Sequence, residues 1–129
     1  MLAAVLAAAP QFAAACGVCI DDKVAAVYDH AIVQQAMEKG RIVVFCEIAG
    51  PQQARAIAQQ ARRAAQGLQG VDRASVRTSD ELPVLSFVLD PARQSPSAAL
   101  AKLQQRLAAN GIRPTLLRVM EAEPDQTRR

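Results

Sequence analysis

Cys16-Gly17-Val18-Cys19 puts two thiols three residues apart, directly before a stretch with helical periodicity. At that spacing two sulfurs can converge on one soft metal ion or close a small disulfide. Backbone N–H groups at a helix start favour negative charge at Cys19, whereas Asp21 and Asp22 oppose it and would suit a neighbouring cation. The pair points to soft-metal binding, copper first, with Cys16 and Cys19 as direct ligands and His30 or Cys46 as candidates to complete the site. Three other outcomes use the same residues: thiol–disulfide exchange, a bridge that only tethers the N-terminal segment, and lipid attachment at Cys16.

The remaining chemistry-bearing residues are few. Cys46 lies in an apolar strand beside Ile42, Val44 and Ile48, the setting of a small buried hydrophobe. His30 stands eleven residues past Cys19, roughly 16 Å along a continuous helix, so it joins Cys19 only if the segment bends. Arg55, Arg62 and Arg63 share one polar helix side with Gln52, Gln59, Gln60 and Gln66, the pattern of a solvated face. RNA-recognition domains stack bases on exposed sheet aromatics. Here the candidate sheet aromatics are Phe45 and Phe87, both inside apolar strands, so nucleic acid is not an expected partner. No Gly-rich phosphate loop, catalytic triad or His/carboxylate cluster is present, and a non-enzymatic role is the leading expectation.

Composition sets the frame. The chain has 129 residues, 51% of them hydrophobic and only 3% aromatic, with a formal net charge of +3. That length supports one domain with a core built from Ala, Val, Leu and Ile. No apolar run approaches the ~20 residues that a membrane span requires. Residues 1–15 carry no charge. Leu2 to Ala9 form a short apolar run, and Ala13-Ala14-Ala15 precedes Cys16 as a small-x-small cleavage site would. This resembles a secretory signal peptide without its usual basic start, and predicts a periplasmic or secreted mature chain beginning at Cys16. The alternative is an Ala-rich N-terminal helix packed on the domain.

The elements that must position the thiols follow from periodicity. Asp21 to Lys39 reads as one helix with Val24, Val27, Ala31 and Met37 on its apolar stripe, stopped by Gly40. Arg41 to Ile48 is a β-branched strand. Pro51 to Leu68 is a helix, Val71 to Thr78 a polar strand, and Leu82 to Asp90 a strong strand closing a hairpin. Ser95 and Pro96 start a helix to Ala109, Asn110-Gly111 ends it, and Ile112 to Met120 is the last strand, with Pro114 suiting an edge. Glu121 to Arg129 is a polar tail, expected to be disordered. The fold class is therefore α+β: residues 41–120 form a ferredoxin-like βαββαβ sandwich, a four-stranded antiparallel sheet with two helices on one face. Residues 16–40 supply the Cys-x-x-Cys segment and an extra N-terminal helix.

Both strong strands are apolar on both faces, unlike a sheet with one side in water. Either the N-terminal helix or a second copy, in a homodimer through the sheet face, must cover the second side. The strand order together with the Cys-x-x-Cys resembles the heavy-metal-associated domain, a small copper- or mercury-carrying module. That family carries its Met-x-Cys-x-x-Cys after the first strand, whereas the corresponding loop here is Ala49-Gly50-Pro51 and the thiol pair lies upstream of an extra helix. The resemblance implies metal cargo and a metal-handling partner protein. An interaction module with a structural bridge is the remaining class.

Overall fold

The computed structural model describes residues 19–122. Cys16, the expected signal segment 1–15 and most of the expected tail, 123–129, lie outside the described residues. Eight elements carry the fold: α1 (Ile20–Val27), α2 (His30–Glu38), β1 (Ile42–Ala49), α3 (Ala54–Gln66), β2 (Arg77–Thr78), β3 (Val84–Leu89), α4 (Pro96–Ala108) and β4 (Arg113–Met120). The class is α+β, and the sheet is antiparallel with the order β2-β3-β1-β4. The two strongly apolar strands are its centre, as expected of strands that must be buried on both sides.

Alternation of side chains across β1 and β3 sends one set to each face. Ile42, Val44, Cys46, Ile48, Leu85, Phe87 and Leu89 pack with α3 and α4 through Ile57, Ala61, Ala65, Leu103 and Leu107. Val43, Phe45, Val84 and Val88 form a second core with Val24, Val27 and Ala36 of α1 and α2. The face that could have received a second copy is thus covered by the protein's own N-terminal helices.

Two expected elements differ. The single helix over Asp21–Lys39 is two helices. Tyr28 and Asp29 are extended, and the Asp29 carboxylate restarts the chain by accepting from the Ile32 N–H at 3.2 Å. An aspartate at an N-cap satisfies an otherwise orphaned donor. The break shifts the apolar stripe, so Ala31 is exposed, Ala36 is buried, and Ile32 and Val33 are half-buried. The expected strand Val71–Thr78 is also interrupted. Val71 makes one bridge to Leu89, a 3-10 turn occupies Arg73–Ser75, and only Arg77–Thr78 pair as a strand. Asp72 causes this, its side chain accepting from the Ala74 N–H and favouring a turn over a ladder.

The helix-to-strand turns are built alike. Gly40 takes φ +68°, with Gly40 N–H to Met37 and Arg41 N–H to Ala36. Gly111 takes φ +71°, with Gly111 N–H to Ala108 and Ile112 N–H to Leu107. This paired bonding closes a helix with a left-handed residue, which glycine adopts without steric penalty. Both turns deliver the chain directly into a strand.

Candidate functional site

Cys19 is the extended residue before α1, and its side chain is exposed. Its position is fixed by how α1 lies on the sheet. In register across the four strands, Arg118 of β4, Phe45 of β1, Ser86 of β3 and Arg77 of β2 form one row facing the N-terminal helices. Successive polar groups from the N-terminal segment meet successive strands along or beside this row. Asp21 pairs with Arg118, Lys23 pairs with Glu47 of β1, the Val27 carbonyl accepts from the Ser86 hydroxyl at 3.3 Å, and Asp29 lies 3.9 Å from Arg77.

The dimensions agree. Three strand spacings of ~4.8 Å span roughly 14 Å, and eight residues of helix rise about 12 Å. α1 therefore crosses the sheet from β4 to β2. Its grip comes from burial of Val24 and Val27 over Phe45, which is fully buried. Exposed ion pairs such as Asp21–Arg118 contribute only about 0–1 kcal/mol each, so their role is to set the angle and register of the crossing.

This crossing decides which candidate ligands meet. Cys19 sits at the β4 end and His30 at the β2 end, just after the Asp29–Arg77 contact. The bend at Tyr28–Asp29 does not bring them together, because it follows a complete crossing. His30 Nδ1 is instead 3.3 Å from the Tyr28 hydroxyl, in an exposed pair. Cys46 is fully buried on the opposite side of β1, among Ile57, Ala61 and Leu103. Burial pushes its thiol up to about 12, which holds it protonated and poor as a ligand. The sheet itself separates Cys46 from Cys19. Among the described residues no group of three or more His, Cys, Asp or Glu side chains is arranged to hold a metal. Within the described residues, then, neither His30 nor Cys46 joins Cys19, and Cys16, three positions upstream in sequence, lies outside them.

Asp21 is committed to Arg118, while Asp22 is exposed on the first turn of α1. Arg118, Lys23 and Glu47, which seat the helix, were not singled out by sequence reasoning. A signal existed for one of them: Glu47 is the single charge within the otherwise apolar run Ile42–Ala49. Of the expected basic face, Arg55, Arg62 and Arg63 are exposed on α3, with the Arg62 guanidinium donating to the Thr78 hydroxyl at 3.2 Å. No described helix is long and apolar enough to cross a membrane. Comparison with protein families, curated proteins and solved structures finds no match for this chain, so function rests on its own residues.

Proposed function

We propose that this is an exported protein that carries a soft metal ion, copper first, on the thiols of Cys16 and Cys19, mounted on a domain of ferredoxin-like arrangement. One observation carries the reading. Cys19 is an exposed thiol at the start of a helix that spans the whole sheet and is seated on all four strands. A metal-carrying pair needs a rigid mount on one side and open access on the other. The helix gives the mount, and exposure lets a partner protein's thiols reach the metal for exchange. Two thiolates supply the soft donor set that Cu(I) prefers. The central placement of β1 and β3, with α3 and α4 together on one face, supports the ferredoxin-like reading. The relation to heavy-metal-associated domains is then one of chemistry and architecture, with the thiol pair moved from the loop after β1 to the entry of α1.

The test is a Cu(I) titration of the reduced mature chain against a chromophoric competitor. One equivalent should bind, more tightly than in Cys16→Ser or Cys19→Ser. Equal affinity in the double serine variant would overturn the proposal. Mass spectrometry of the protein from its own host separates the competing fates of the pair, since cleavage, lipid, disulfide and metal each give a distinct mass.

A further inference from the structure

The interruption of the expected second strand leaves a hollow at the sheet edge. Along the outer side of β3, Val88 has no strand partner. Its carbonyl accepts from the Asp72 N–H at 3.0 Å and its N–H donates to the Ser75 hydroxyl at 2.8 Å. The 3-10 turn stands where a strand would have run, and α2 passes over it. Between them is an open-mouthed cavity of about 100 Å³. Ile32, Ala36 and Val88 give it an apolar floor, and Lys39, Arg41 and Asp72 stand around it.

The charges at this rim are unbalanced. Lys39 and Arg41 flank Gly40, and the bonds from the Gly40 N–H to Met37 and from the Arg41 N–H to Ala36 fix where both side chains leave the main chain. Arg41 is half-buried, yet its guanidinium makes no hydrogen bond or ion pair with any described residue, and neither does the Lys39 ammonium. Asp72 is occupied in holding the turn through Ala74. Two cations and one carboxylate leave the cavity with a single net positive charge.

We infer that this cavity is a binding site for a small aliphatic carboxylate. The Arg41 fork and the Lys39 ammonium take the carboxylate head, for which a guanidinium is the matched donor. The short alkyl part lies on Ile32, Ala36 and Val88. With a volume of about 100 Å³, the cavity favours a short acid over a long-chain one. Asp72 repels a second negative charge, so a phosphate dianion binds less well. The site is independent of Cys16 and Cys19.

Amide NMR of the full chain, titrated at constant ionic strength with propionate, phosphate and chloride in turn, tests this. Propionate should give saturable shifts at Gln35, Arg41, Ala74 and Ser75. Arg41→Gln should weaken binding at least tenfold, Lys39→Gln should weaken it less, and Asp72→Asn should admit phosphate. Non-saturating shifts, shifts matched by chloride, or equal propionate affinity in Arg41→Gln would overturn the site. Phosphate binding as tightly as propionate in the unaltered protein would overturn the ligand class.

Discussion

The Ser86 hydroxyl donates to the Val27 carbonyl across 59 residues of sequence, joining the last turn of α1 to the middle of the sheet. A helix's final carbonyls lack partners inside the helix, and this one ends in a buried contact where water cannot replace the bond. Ser86→Ala should therefore destabilise the protein by about 1–2 kcal/mol. Denaturant unfolding would measure the loss, and hydrogen exchange should show it concentrated in α1.

Removing the N-terminal helices has a larger expected effect. A chain starting at Arg41 exposes Val43, Phe45, Val84 and Val88, which α1 and α2 otherwise cover. Each side chain so exposed forfeits roughly 1.5–3 kcal/mol, against a usual total of ~5–15 kcal/mol. The truncated domain should unfold at lower denaturant or self-associate, which sedimentation and unfolding curves distinguish. A monomer of unchanged stability would refute the covering role.

Gly40 at φ +68° has nothing within 4 Å of where a Cβ would stand. Any loss on substitution is then conformational, with no clash. Gly40→Ala should destabilise by about 1–2 kcal/mol, the penalty for an L-residue in the left-handed region. Gly40→Asn should lose less, since asparagine tolerates that region better. Equal losses would mean that backbone conformation is not what the glycine provides.

Cys46 makes a pH prediction. Burial raises its thiol from 9.0 to about 12, so the folded state holds the proton more tightly than the unfolded chain. Its contribution is complete below about pH 9 and is lost as pH rises towards about 12. Stability measured from pH 8.5 upward should fall less steeply in Cys46→Ala, even though that variant starts lower from lost packing. In the native protein at pH 8, a thiol reagent should leave Cys46 unreacted until the protein unfolds.

What could be read from the sequence was whatever periodicity and turn chemistry encode. Gly40 and Asn110-Gly111 marked true helix ends because left-handed closure favours glycine. The two-sided apolar character of β1 and β3 announced a covering layer, and Cys46 read as a core residue. The unbroken Asp21–Lys39 helix misled because Val24, Val27 and Ala31 keep a plausible stripe. The burial of Ala36 with Ile32 and Val33 shows a phase slip that Asp29, a good N-cap, could have flagged. The second strand misled in the same way, since Asp72 and Ser75 spend their side chains on a turn. The seating of α1 was not legible, because Asp21 and Arg118 meet across 97 residues and no local pattern records such a pair. The hollow beside Arg41 was hidden for the same reason, being a by-product of the lost strand.

The transverse course of α1 also orders the assembly of the molecule. The helix lies near the start of the chain, yet the strands it rests on are completed only when β4, with Arg118, has been made. The Asp21–Arg118 contact spans 97 residues, so α1 gains its outermost seat only once β4 is paired in the sheet. The mount of Cys19 is therefore complete only in a chain whose last strand is in place.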